Sequence, residues 1–272
     1  MNFKKKSIEN LINLSKKIRR DILFYSYFNH TGHISSCLSV ADILSVLYGS
    51  ILYIDAKNPT DVNRDRFILS KGHAALALYA CLSSRGFFSK ESLSNFCKNG
   101  SKFGTHPEYG ISGIEFSTGS LGHGLSVGVG MALAAKLDKK KYKVYILMSD
   151  AELNEGSIWE AAQFAAHHKL DNLTLIIDEN GLQAFGKTKN VLDLQDISVK
   201  FKDFGWASIN TNGHDHEKLF EILEKMPLIK EKPTVLVAKT TAGKGVSFME
   251  GKIEWHYNNL DENLYNLAMK EN

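Results

Sequence analysis

Cysteine, proline and charge imbalance are all scarce in this 272-residue chain, and each scarcity removes a class of protein. Cys37, Cys81 and Cys97 are odd in number and form no CxxC pair, which excludes a disulfide framework and a structural zinc site and fits a reducing cytoplasm. Four prolines and no low-complexity tract leave no interdomain linker, so a single domain over 1–272 is expected. The net charge of +3 is too small to argue for nucleic acid as a partner. Long apolar runs are missing as well. The longest, Gly124 to Ala135, is glycine-rich and far short of the roughly twenty residues that span a bilayer. Near the N-terminus Glu9, Asn10 and Asn13 interrupt the apolar core that a secretory signal requires. A soluble, cytoplasmic protein without membrane contact is expected.

What is present is a chain 43% hydrophobic, enough to bury a sizeable core. Lys4, Lys5, Lys6, Lys16, Lys17, Arg19 and Arg20 crowd the first twenty positions, while Ile8, Leu11, Ile12, Ile18 and Ile22 fall at helical spacing. The pattern predicts an amphipathic helix at about 7–28 with a solvated basic face. Short apolar runs at Arg66–Leu69, Val144–Met148, Leu173–Ile177 and Thr234–Ala238 read as strands, and Gly156–His168 and His216–Lys225 read as helices. Alternation of this kind predicts an α/β fold with a mostly parallel central sheet and helices on both faces.

In such sheets ligands gather beyond the carboxyl ends of the strands. Polar segments follow each expected strand: Ser70-Lys71-Gly72-His73, Ser149-Asp150-Ala151-Glu152, Asp178-Glu179-Asn180-Gly181 and Lys239 to Gly245. Asp150 and Asn180 stand 30 residues apart, the length of one αβ crossover, and would set two hard oxygen ligands across adjacent strand ends, as magnesium prefers. A helix cap at Asp150 and a turn at Asn180 would explain each residue singly. Gly128-Val129-Gly130 lacks the third glycine of a dinucleotide fingerprint, Ala242 to Gly245 lacks the rest of a P-loop, and no HExxH occurs.

The run Ser149 to Gly156 followed by Asp178-Glu179-Asn180-Gly181-Leu182-Gln183 resembles the thiamine-diphosphate motif of transketolases. The resemblance extends from about Ser26 to about His256. Thr31-Gly32-His33, Leu69 to Ala74 and Gly104-Thr105-His106-Pro107-Glu108 resemble three histidine segments of that family. Thr118 to Gly124 resembles its glycine-rich turn, and Gly243 to Glu250 with Trp255-His256 its fourth histidine segment. The resemblance implies thiamine diphosphate bound by His73, Gly119, Ser120, Leu121, Asp150, Ala151, Glu152, Asp178, Asn180 and His256. It also implies Mg2+ (or Ca2+ or Mn2+) held by Asp150, Asn180 and the Leu182 carbonyl, and a thiamine-diphosphate-binding fold. Ser149 and Ala151 replace the motif's two glycines, and a methyl group at 151 requires a negative φ there.

His33, His73, His106 and His256 are the implied catalytic residues. Moving a two-carbon ketol unit shifts protons on and off sugar oxygens near neutral pH, a task suited to imidazole. His30, His167, His168, His214 and His216 are assigned structural roles, and His123 falls between. In this family a second domain supplies the glutamate that activates the cofactor and the arginines that grip a sugar phosphate, and no match to it occurs here. The expectation is therefore one subunit of a transketolase that takes a sugar or sugar phosphate, inactive alone and completed by a separate C-terminal, pyrimidine-side subunit in an α2β2 assembly. The α subunit of a 2-oxoacid dehydrogenase or decarboxylase shares the metal motif, and a non-catalytic thiamine-diphosphate-binding relative also fits it.

Overall fold

A computed structural model describes residues 2–272, with side chains from Ser7 onward. Lys4, Lys5 and Lys6 of the basic run lie outside the described side chains. In chain order the helices are α1 (Asn2–Phe28), α2 (Ile34–Ser39), α3 (Ala41–Val46), α4 (Ala75–Ser84), α5 (His123–Leu137), α6 (Gly156–His167), α7 (Thr188–Val191), α8 (Ile197–Asp203), α9 (His216–Leu223) and α10 (Glu262–Glu271). The strands are β1 (Arg66–Leu69), β2 (Val144–Ser149), β3 (Leu173–Glu179), β4 (Leu182–Gln183), β5 (Gly186–Lys187), β6 (Ala207–Asn212) and β7 (Thr234–Lys239). Five strands form one parallel sheet in the order β1-β2-β3-β7-β6, and β4 and β5 form a short antiparallel hairpin.

Strand alternation sorts the core into two layers. Val144, Ile146 and Met148 of β2 face one cluster with Leu173, Leu175 and Ile177 of β3, against α5, α6 and α8. Tyr145, Leu147 and Ile176 face the other, against α1 to α4. Because both faces are covered, these strands read as unbroken apolar runs, which makes them legible in the sequence. Strand β6 is not among the expected strands. It lies at the sheet edge, its sequence Ala207-Ser208-Ile209-Asn210-Thr211-Asn212 is mostly polar, and only Ala207 is buried.

Helix α1 begins before the expected position 7, and its basic face is not wholly solvated. Lys16, Lys17 and Arg20 differ from Arg19, which turns inward to an ion pair with Asp42 at 2.5 Å and is 6% exposed. Ile12, expected on the buried stripe, is 37% exposed. Helix α5 lies close on the sheet because two glycines face it. A Cβ on Gly124 would come within 2.4 Å of Ser70, and one on Gly128 within 2.3 Å of Ile146. Among the described residues no helix is long and apolar enough to cross a membrane, and all three cysteines are free.

Candidate active site

The parallel register aligns the carboxyl ends of β1, β2 and β3, with Ser149 opposite Asp178. The four expected catalytic histidines lie in the turns nearby, and the structure gathers three of them tightly. The rings of His33, His73 and His256 form a triangle with centroid separations of 5.4, 5.1 and 5.5 Å. His106 lies against the glycine-rich turn, where a Cβ on Gly119 would sit 3.1 Å from its ring. His33 takes a left-handed φ of 62°, and its N–H donates to the His256 carbonyl at 2.9 Å, tying two histidine segments together.

Burial and proximity disfavour imidazolium here. Burial, then His106 and Lys71, lowers the pKa of His33. Burial, then Lys71 and the other histidines, holds His73 well below its ordinary value. For His256 burial, then His33 and Lys71, brings it down to about 4. Near pH 7 these three rings are neutral, each with one donor and one acceptor nitrogen. Nδ1 of His256 is buried and has no hydrogen-bond partner.

Asp150 is 1% exposed. Its Oδ1 accepts the Ala151 N–H at 2.9 Å, and its Oδ2 accepts the Gly181 N–H and the Thr188 hydroxyl, each at 3.0 Å. Gly181 takes a left-handed φ of 73°, a conformation open to glycine. Burial, then the neighbouring Asp178, pushes the Asp150 carboxyl up to about 7, so the site is short of positive charge. Three donors also leave acceptor capacity on a carboxylate with roughly four lone-pair positions. Asp150, Asn180 and Leu182 are linked through the Gly181 and Leu182 N–H groups, and the oxygens they carry are of the hard type that a magnesium ion takes. Gly72 and Gly119 bring two backbone segments close together: a Cβ on Gly72 would lie 2.9 Å from the Gly119 nitrogen.

Ala151 opens a 3-10 turn, Ala151–Asn154, and is not among the residues with positive φ, so its methyl is accommodated. Ser149 is buried, its hydroxyl 3.5 Å from Glu152. Glu152 is 0% exposed and accepts the Ser70 hydroxyl at 2.5 Å, the Gly122 N–H at 3.1 Å and the Ser149 N–H at 2.9 Å. It thereby clamps the turn after β1 and the Gly119-Ser120-Leu121-Gly122 turn to β2. Asp178, also 0% exposed, is tied to Lys71, Ser39, Thr240 and Asn180. Burial works against its charge, but Lys71 outweighs it and the carboxyl stays below its ordinary value.

Lys71, Ser39, Thr240 and Thr188 are residues of the site that sequence reasoning misses. The period of two offers a signal for the first: Leu69 and Ile176 face the same layer, and Lys71 and Asp178 continue that parity. His214 and His216 both lie on Asp42, His214 2.8 Å from that carboxylate and His216 3.3 Å. His214 also accepts the Thr241 N–H, next to Thr240. His123 is exposed, with Nδ1 3.2 Å from the Ser120 carbonyl.

A family model described as transketolase, thiamine diphosphate binding domain, matches residues 19–271. The chain is 42% identical over 264 residues to one named subunit of the apulose-4-phosphate transketolase of Phocaeicola vulgatus, covering 97% of this chain and 94% of that one. It is 37% identical over 241 residues to the 6-deoxy-6-sulfo-D-fructose transketolase subunit SqwG of a Clostridium species, covering 88% of each. A crystal structure of transketolase from Campylobacter jejuni superposes with a TM-score of 0.87 at 34% identity, over 98% of this chain but 42% of that one.

Proposed function

The chain belongs to the transketolase family, as its thiamine-diphosphate-binding domain, and from that premise we propose that it is the diphosphate-side subunit of a two-polypeptide transketolase. The observation that carries this reading is the convergence of His33, His73 and His256 beside the strand ends that hold Asp150 and Asn180. Two relatives of nearly the same length are themselves named as single subunits of a transketolase, which supports a second polypeptide. The whole chain acts as one domain, and the assembly is α2β2 in the cytoplasm, in keeping with three free cysteines.

Bound thiamine diphosphate supplies the nucleophile and electron sink for breaking a carbon–carbon bond beside a ketose carbonyl. Asp150, Asn180 and the Leu182 carbonyl would hold Mg2+, with Ca2+ or Mn2+ as substitutes. His73, with the turn Gly119-Ser120-Leu121, would bind the cofactor, and His73 would also reach the substrate. His33, His106 and His256 bind sugar hydroxyls. The neutral rings of His33 and His256 pass protons between donor and acceptor oxygens, and the unpartnered His256 Nδ1 is one such acceptor or donor. Substrates are sugars or sugar phosphates.

The test is a ketol-transfer assay with the two polypeptides assayed singly and mixed. Two-carbon transfer from a ketose to an aldose should require the mixture. Activity from this chain alone, or 2-oxoacid turnover by the mixture in place of ketol transfer, overturns the proposal.

A further inference from the structure

Among the described side chains Lys71 is the one lysine with 0% exposure, and its ammonium is held from three directions. It lies 2.5 Å from Asp178 Oδ2, 3.3 Å from the Ser36 carbonyl and 3.4 Å from the Ser39 hydroxyl. Ser39 donates to the same Asp178 oxygen at 2.8 Å, and Thr240 donates to Oδ1. The fourth donor to Asp178 is the Asn180 amide nitrogen, 3.0 Å from Oδ2.

An amide has one face that donates and one that accepts. An ion-paired carboxylate only accepts, so the NH2 of Asn180 must rest on Asp178 and its oxygen must point the other way. There Oδ1 accepts the Leu182 N–H at 2.9 Å, in the same turn whose Gly181 N–H reaches Asp150. The turn Asn180-Gly181-Leu182 is thus tied through its N–H groups to the Asp150 carboxylate and to the Asn180 amide oxygen.

We propose that Lys71 is a positioning residue: by anchoring Asp178 it fixes the Asn180 amide so that its oxygen, and not its nitrogen, faces the cation. The proposal rests on the metal-site reading given above. Three of the four donors fall on Asp178 Oδ2 and one on Oδ1, so the oxygen that holds the Asn180 amide is the one that Lys71 anchors. An apolar side chain at 71 leaves a buried carboxylate without its counter-charge and Asn180 without a fixed acceptor. Groups that orient a metal ligand in this way typically change metal affinity by about ten- to a hundredfold.

The experiment is a Mn2+ titration followed by electron paramagnetic resonance, on the assembled two-subunit complex with saturating thiamine diphosphate. The variants are Lys71→Met, Asn180→Ala and the pair combined. Lys71→Met should weaken Mn2+ binding about ten- to a hundredfold, and the double variant should be no weaker than Asn180→Ala by more than about twofold. Unchanged affinity in Lys71→Met, or the same loss again on top of Asn180→Ala, overturns the proposal while the metal site stands. No change in Asn180→Ala overturns the metal-site reading and this inference with it. If Lys71→Met does not fold, Ser39→Ala carries the same cycle, because it removes one donor from Oδ2 and keeps the ion pair. Its loss, about two- to fivefold, should vanish in the Asn180→Ala background, and a loss that persists there contradicts the proposal.

Discussion

Replacing Glu152 tests whether one buried carboxylate holds three segments of the site in place. Its Oε1 accepts from Ser70 and Gly122, and its Oε2 from the Ser149 N–H. Glu152→Ala leaves three buried donors without an acceptor, and breaking a buried charged network of this kind costs about 3–5 kcal/mol. At roughly 2–4 °C per kcal/mol for a chain of about this size, the melting temperature should fall by about 6–20 °C. Glu152→Gln is the sharper probe. Its shape is conserved, but its NH2 must replace one oxygen and so face at least one donor, for a cost of about 1–3 kcal/mol. Thermal unfolding of the full chain by circular dichroism, with urea unfolding to confirm an unchanged m-value, gives both numbers. A fall under about 2 °C in the alanine variant, or a glutamine variant as stable as wild type, would refute the clamp.

The buried histidines predict an acid sensitivity. The folded pKa of His256 is about 4, below the ordinary 6.5, so its neutral form stabilises the fold fully above about pH 6.5 and this contribution is lost as pH falls toward 4. Because solvent reaches part of the ring, about 1 kcal/mol is expected from pH 7 to 5, and His256→Gln should melt with a smaller acid shift; an identical shift contradicts this. Asp42 works in the opposite sense. Burial raises its pKa, but His214 and Arg19 bring it well below the usual range, so its stabilisation is present above about pH 4 and lost on further acidification. Asp42→Asn should cost about 3–5 kcal/mol at pH 7 and flatten stability below pH 4, as read from urea midpoints at each pH. Gly124→Ala places a methyl 2.4 Å from Ser70, for a cost of about 1–3 kcal/mol in urea unfolding, and a neutral result would show that α5 can shift freely.

Much of this site is legible in sequence because strands buried on both faces announce themselves, and the residues after them fall at their carboxyl ends. Asp150, Asn180 and His73 emerge in that way, and His33, His106 and His256 by resemblance to a family. The edge strand Ala207–Asn212 escapes because one side of it meets water and its side chains are mixed. The Lys71–Asp178 pair joins residues 107 apart in sequence, and strand parity gives each of them a side of the sheet without naming its partner. Arg19 misleads for a related reason: a basic residue on a helix reads as solvated until Asp42 is known to lie opposite. The alanine at 151 reads as a departure that requires a negative φ, and residue 151 is not among those with positive φ.

By the function proposed above, Asp150 stands at the end of the sheet that grips the diphosphate and its metal. Calorimetric titration of thiamine diphosphate with Mg2+ into the two-subunit mixture, with wild-type and Asp150→Ala chains, tests it most directly. Saturable binding is expected with the wild-type chain, and Asp150→Ala should abolish it while the chain stays folded. Binding of equal affinity in the Asp150→Ala mixture would contradict it.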